Sequence, residues 1–497
     1  MYYLGLDIGS SSIKAALVEV SSGKSIGVVQ EPETEMSMQA LKNGWAEQKP
    51  EAWWIHVCQA IQQLKKKYAV SRKQILGIGI SYQMHGLVLL DEAGNSLRKS
   101  IIWCDSRAVD IGNKTLAQLG KQQCSDHLLN APGNFTISKL KWVMENEPEL
   151  YTRAYKFMLP GDYIAYRFTQ VMNTTISGLS EAVLWDFKQA GIAQFLLDHH
   201  GIRPSLVPDI VDTFGIQSTV SKLGEAESGI AEGTPICYRA GDQPNNALSL
   251  NVFRPGEVAA TGGTSGVVYA VTDNLSVVES SRVNNFAHVN YAKGAEPRIG
   301  KLLCINGAGI QYRWLMNNLA VRSYEEMNHL AADIPVGSDG VCLIPFGNGS
   351  ERMLDNRDIG SRLVNINLNN HNKAHICRAA LEGIAFSFVY GMEILQSDGI
   401  DISVLRVGND NLFRSEIFAN TIATLISYEI EVYNTTGAIG AARAVGLRDG
   451  DYAKFGSYIM DNDHVMTFMP FKDKEPYARA YENWKQELEI INKQQVQ

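Results

Sequence analysis

The sequence predicts an α/β protein of two related domains around a cleft, and three observations carry that prediction. Strand-like runs alternate with helical stretches along most of the chain. A strand, a tight small-residue turn and a second strand open each half. The length, 497 residues, asks for two or three domains at ~100–200 residues each.

Residues 2–8 and 13–20 are apolar, β-rich runs separated by Gly9-Ser10-Ser11-Ser12. The design returns near the middle as residues 257–261, the turn Gly262-Gly263-Thr264-Ser265-Gly266, and residues 267–271. The likeness lies in the pattern rather than in identical residues, and it predicts two related domains. Between the hairpins, strands at 75–81 and 87–90 alternate with helices at 53–68 and 138–145. The second half repeats the mixture, with helices at 374–395 and 415–424 and strands at 341–345 and 404–407. Pro and Gly clusters at 131–133, 231–235 and 241–244 punctuate these elements, and a boundary is expected at 245–258. The resulting division is 1–250, 251–446 and a helical extension of the second domain, 447–497. Its end, 475–497, is a polar helix expected to decorate the surface.

Composition narrows the function. With 45 basic and 53 acidic residues the net charge is −8, which argues against a nucleic-acid partner, since such proteins cluster Lys and Arg against phosphate. The one basic run, Lys65-Lys66-Lys67, reads as a helix C-terminus favoured by its dipole. A 45% hydrophobic, 20% charged chain is an ordinary globular one and excludes disorder, collagen and small disulfide scaffolds. Seven cysteines without a CxxC pair read as reduced thiols rather than disulfides or metal ligands. No stretch reaches the ~18 apolar residues of a membrane span, and the first strand follows no signal-like pattern. A cytoplasmic protein with no membrane partner is expected.

The segment Asp7-Ile8-Gly9-Ser10-Ser11-Ser12-Ile13-Lys14 carries the first chemistry. A small-residue turn lets backbone N–H groups approach phosphate oxygens, hydroxyls add donors, and Lys14 adds charge. A carboxylate at the preceding strand end can hold Mg²⁺ through water. Alone, the segment is an ordinary hairpin with a polar turn. Its recurrence at 261–266 turns it into one half of a polyphosphate clamp, in a chain without a Walker-type loop.

Further segments make the pattern specific. They are Gln83-Met84-His85-Gly86, residues 102–107 (Ile-Trp-Cys-Asp-Ser-Arg), residues 159–163 (Leu-Pro-Gly-Asp-Tyr), Ala240-Gly241-Asp242-Gln243, Gly263-Thr264-Ser265-Gly266 and residues 378–385. In this order the chain resembles the FGGY sugar kinases of the actin-like ATPase superfamily, and among them the xylulokinases. The resemblance implies two actin-like (ribonuclease H-like) domains, the N-terminal one binding sugar and the C-terminal one nucleotide, with the cleft between them. It implies ATP and Mg²⁺ as cofactors and D-xylulose, a ketopentose, as the acceptor of the γ-phosphoryl group.

Residue by residue, the resemblance makes Asp242 the base that deprotonates the attacking hydroxyl; local sequence alone reads it as a helix-start aspartate. It places Met84, His85, Trp103, Asp105 and Gln243 with Asp242 around the sugar, where the plain alternatives are core packing and an Asp105–Arg107 ion pair. Gly9, Ser10, Ser11, Ser12, Lys14, Gly263 and Thr264 fall to the phosphates, Gly408 and Asn409 to the adenosine side, and Asp7 to the metal. Gly408-Asn409-Asp410-Asn411 departs from the family's run of glycines, though Asn tolerates left-handed backbone angles. Residues 436–442 resemble the family's small-residue interdomain helix. His371 and His375, spaced i, i+4 without a third ligand, are expected in solvent. Homodimers are common among proteins resembling this chain, yet it shows no interface signature. The competing functions are a kinase for gluconate or another ketose, an actin- or chaperone-like ATPase switch, and an inactive sugar sensor.

Overall fold

In the computed structural model, which describes residues 1–494, two twisted sheets repeat one topology. The first contains β1 (Tyr2–Ile8), β2 (Ile13–Glu19), β3 (Ser25–Glu31), β4 (Ile75–Tyr82), β5 (Phe214–Thr219) and β6 (Pro235–Gly241), in the order β5-β6-β4-β1-β2-β3. The second contains β7 (Glu257–Gly262), β8 (Gly266–Thr272), β9 (Asn284–Ala287), β10 (Ile299–Ile305), β11 (Val404–Gly408), β12 (Ile430–Tyr433) and β13 (His464–Phe468), in the order β9-β10-β8-β7-β11-β12-β13. In each, three antiparallel strands are continued by two strands parallel to the first, and then by an antiparallel edge; the second sheet adds β9 as a fourth antiparallel strand beside β10. Central strands such as β4 read as near-continuous apolar runs because both their faces are covered.

The helices follow the apolar periodicity. Helix α1 (Pro50–Lys67) buries Trp53, Trp54, Val57, Ala60, Ile61 and Leu64 as one stripe, starts with Pro at its first turn and ends on the three lysines. Helix α2 (Thr136–Asn146) buries Ile137, Leu140 and Val143 in the same way. Helix α3 (Asp242–Ser249) begins at Asp242 itself, which occupies its first turn. Helix α4 (Gly309–Asn318) follows β10, and α5 (Lys373–Ser397) crosses the second core. His375 departs from expectation: it is buried, its Nδ1 meets Asn372 at the helix start and its Nε2 lies 3.2 Å from Asp339.

Helix α6 (Gly437–Ala444) follows β12 of the second sheet yet packs on β1 and β4 of the first. Its approach requires glycine: a Cβ on Gly5 would lie 1.9 Å from the Ala438 carbonyl oxygen, and one on Gly79 would lie 1.9 Å from that of Ala441. Arg443, at its end, pairs with Asp463 and donates to the Gly23 carbonyl at 2.8 Å.

Residues after 446 serve both halves rather than extending the second alone. Phe455 and Ile459 of α7 (Tyr452–Asp463) join the first core, and Asn462 and Tyr458 bond to carbonyls of residues 20–22. Strand β13 then closes the edge of the second sheet. The expected surface decoration is wrong for α8 (Glu475–Gln494), which buries Tyr481, Trp484, Leu488 and Ile491 in the second core. The polar residues there cover its outer face, and the 3.6-residue stripe beneath them decides its placement. Residues 495–497 of that expected helix lie outside the described residues. The indole of Trp484 donates to the Leu343 carbonyl at 2.9 Å. Replacing Trp484 with Ala should remove about 3–5 kcal/mol of stability from this half, read as an early unfolding transition in chemical denaturation; a transition at the wild-type midpoint would mean the helix is dispensable.

Candidate active site

The site is made by register. Strands β1, β4 and β6 run parallel, and pairing sets Ile8 beside Tyr82 and Tyr82 beside Gly241. Their C-terminal ends therefore deliver Asp7, the segment 83–85 and Asp242 to one place, the usual position for ligands on such a sheet. In the second sheet β7, β11 and β12 end together in the same way, bringing the 263–265 turn beside Gly408 and Asn409. The Asn409 N–H donates to the Tyr433 carbonyl at 2.9 Å, which ties the turn after β11 to the end of β12.

Asp242 opens α3 at the cleft floor. Burial first, then the charge of Asp7, pushes its carboxyl up to about 7, while its own N–H and that of Gln243 pull the other way. Burial likewise raises Asp7, whose Oδ1 accepts the Ser81 hydroxyl at 3.1 Å and which faces Lys14 across the hairpin. Behind them Glu181 is buried, and its carboxyl is held well above the carboxylate range by burial and by Asp242. A Cβ on Gly241 would fall 2.4 Å from Glu181 Oε2, so that close approach needs glycine.

A cavity of about 430 Å³ opens over Asp242 and is lined by both halves of the molecule. Met84, His85, Trp103, Asn134, Phe135 and Gln243 come from the first; Asn284, Leu302, Cys304 and Arg352 come from the second. His85 adopts left-handed angles (φ 62°), and its Nδ1 lies 2.9 Å from the Glu181 carbonyl. A carbonyl only accepts, so Nδ1 carries the hydrogen; burial and the Lys139 charge keep the ring neutral, down to about 3, and Nε2 is left as an acceptor. Lys139, fully buried on α2, donates to the carbonyls of His85 (2.8 Å) and Ile102 (3.0 Å), joining the two wall segments. Asn134 and Asn284 each present a side-chain oxygen without a partner. Trp103, 53% exposed, forms an apolar wall and donates its indole N–H to Ser10 Oγ at 3.2 Å.

Asp105 is a correction. It does not line the cavity: it is wholly buried, and its oxygens accept the Ala46 N–H at 2.6 Å and the Arg107 backbone N–H and guanidinium at 2.6–3.0 Å. Those bonds leave no oxygen for a ligand, and its structural role is to fix the loop carrying Trp103. Gln83 is buried at the end of β4 and also stays out of the lining.

The two hairpin turns share a construction. In the first, the Ser11 carbonyl takes the Met36 N–H (2.7 Å), the Ser10 carbonyl takes the Gln48 side chain (2.7 Å) and Gly9 N–H bonds Ser12 (3.0 Å). In the second, the carbonyls of Gly263 and Thr264 take the Gly309 and Ile310 N–H groups of α4. Carbonyls so engaged leave the amides of Ser10, Ser11, Gly263 and Thr264 as the groups suited to an anion. Arg352, Asn284, Glu181 and Lys139 were not signalled by the sequence, because each sits far along the chain from the motifs it joins.

The FGGY family of carbohydrate kinases matches twice, its N-terminal domain over residues 2–249 and its C-terminal domain over residues 258–446. The chain belongs to that family, and it is an ATP-dependent sugar phosphotransferase of α/β, actin-like ATPase fold. It is 28% identical over 461 residues to a xylulose kinase of Bacillus subtilis, covering 90% of this chain and 88% of that one. It is 26% identical to the L-xylulose/3-keto-L-gulonate kinase of Escherichia coli, over 97% of this chain and 96% of that one. The solved xylulose kinase of Rhodospirillum rubrum superposes with a TM-score of 0.86 at 22% identity over 99% of both chains. No helix among the described residues is long and apolar enough to cross a membrane.

The crowding of carboxylates gives a stability test. The folded pKa of Asp242, about 7, lies above that of an unfolded aspartate, so the folded state holds this proton more tightly and loses stability as pH rises from about 4 to 7. Asp242→Asn should therefore melt above the wild type at pH 8, with the difference shrinking toward pH 4. A difference independent of pH in a thermal-shift series would contradict the assignment.

Proposed function

We propose that the chain phosphorylates a ketopentose, D-xylulose first, on its terminal hydroxyl to give the 5-phosphate. The observation supporting this reading is the cavity over Asp242, which combines apolar walls with unpartnered acceptors. A polyol offers C–H faces to Met84 and Trp103, and hydroxyl donors to His85 Nε2, Asn134 and Asn284. Gln243, next to Asp242 on α3, supplies a further amide to the same wall.

In the proposed reaction Asp242 accepts the proton of the attacking hydroxyl as that oxygen bonds to the γ-phosphorus and the bond to the ADP oxygen breaks. A carboxyl poised near 7 suits that task. The amides of the 9–12 and 263–265 turns hold phosphate oxygens from opposite sides, Lys14 adds positive charge, and the Gly408-Asn409 turn borders the adenosine. Asp7 suits a Mg²⁺ held through water: it is a buried carboxylate with one oxygen unshared, and Mg²⁺ takes few protein ligands. When bound, that ion neutralises charge on the β- and γ-phosphates. Access from both halves lets lobe closure exclude water from ATP.

A second reading, a sugar acid as acceptor, draws on Arg352. Its Nε donates to the Ser281 carbonyl at 3.1 Å, no acidic side chain among the described residues pairs with it, and it lines the cavity. A desolvated guanidinium suits a carboxylate.

A coupled ADP-release assay across D-xylulose, L-xylulose, 3-keto-L-gulonate, gluconate and glycerol separates the readings, with D-xylulose expected fastest. Gluconate turnover without D-xylulose turnover would overturn the first. Arg352→Met should spare D-xylulose; under the acid reading it lowers kcat/KM for the acid at least about tenfold. Asp242→Ala should lower kcat by about 10²–10⁴-fold with sugar and ATP binding retained; turnover at the wild-type rate would remove Asp242 from the chemistry.

A further inference from the structure

Where a run of glycines is expected after β11, the chain has Gly408-Asn409-Asp410-Asn411, and the carboxylate in that departure touches the second hairpin. Asp410 Oδ2 accepts the N–H of Gly262, the last residue of β7, at 2.5 Å. Its Oδ1 accepts the N–H groups of Leu412 and Phe413 at 3.2 and 3.1 Å. One side chain thus joins the root of the hairpin to the turn after the neighbouring parallel strand. Gly262 has no room for a side chain there: its Cβ would lie 2.8 Å from Leu412 Cβ and 3.0 Å from Asp410 Oδ1. On the opposite flank the N–H groups of Gly309 and Ile310 hold the Gly263 and Thr264 carbonyls at 3.1 and 2.9 Å. That approach is equally tight, since a Cβ on Gly309 would lie 2.1 Å from the Gly263 oxygen.

We infer that Asp410 is a positioning residue that holds the 262–266 hairpin in the shape that receives nucleotide phosphate, an inference that rests on the kinase reading of this hairpin. A Gly-Gly-Thr-Ser-Gly turn has large backbone freedom. Ordering it before the ligand arrives removes that entropy loss from binding. Helix α4 fixes the carbonyl side of the turn, and Asp410 holds the N–H at its root, through a charge-assisted bond of about twice the strength of a neutral one. With three N–H groups on its two oxygens, the carboxylate acts on nucleotide through the hairpin rather than by contact.

The test uses Asp410→Ala and Asp410→Asn in the full chain. The Ala variant should raise KM for ATP at least about tenfold and leave KM for the sugar unchanged. The Asn variant, which keeps one acceptor oxygen, should fall between Ala and wild type. Amide hydrogen exchange in peptides covering 257–272 should quicken in the same order. Equal rises in both KM values, an Asn variant as impaired as Ala, or exchange at the wild-type rate in the Ala variant would each overturn the inference. If Ala fails to fold, the Asn exchange pattern decides. Quickened exchange in a protein whose wild type binds no ATP would uphold Asp410 as the hairpin's anchor and count against the kinase reading instead.

Discussion

Two carboxylates held at the ends of flanking parallel strands are the constraint around which the cleft is built. Pairing of β1 and β6 with β4 brings Asp7 and Asp242 to the same end of the sheet. Burial then raises both, and the charge of Asp7 raises Asp242 further. The sheet core opposes that repulsion, since β1, β4 and α6 interlock through glycines that admit backbone-to-backbone contact.

The second constraint is that neither half holds a whole site. The cavity over Asp242 takes His85 and Trp103 from one lobe and Asn284 and Arg352 from the other. Trp103 also touches Ser10, so the cavity wall is continuous with the first hairpin turn. Helix α6 belongs by sequence to the second sheet and by packing to the first, and α7 returns to the first before β13 closes the second. The chain thus crosses between the lobes several times, which limits their relative motion to changes that preserve those contacts.

Much of this was legible in the sequence because its signals are local. The hairpins at 9–12 and 263–265 announce themselves through small residues between β-rich runs, and α1 through its apolar spacing. Asp242 stood out through the glycine turn before it and through family resemblance, and the structure places it in the cavity lining. Asp105 was misread because its partner Arg107 and the Ala46 N–H are close in space, and only their geometry shows that both its oxygens are taken. The tail was misread for a related reason: a polar composition describes the exposed face of α8, while burial follows the stripe containing Trp484.

The sequence by itself determined the two-part α/β plan, the paired small-residue turns and the residue types a phosphoryl transfer needs, because strand period, helix period and turn chemistry act over a few neighbours. Tertiary structure alone decided which of those groups meet. Arg352 and Asn284 reach the cavity over Asp242, Lys139 joins its wall segments, and Asp410 reaches Gly262 across 148 residues of chain. Such contacts depend on strand order and register, which no local pattern encodes.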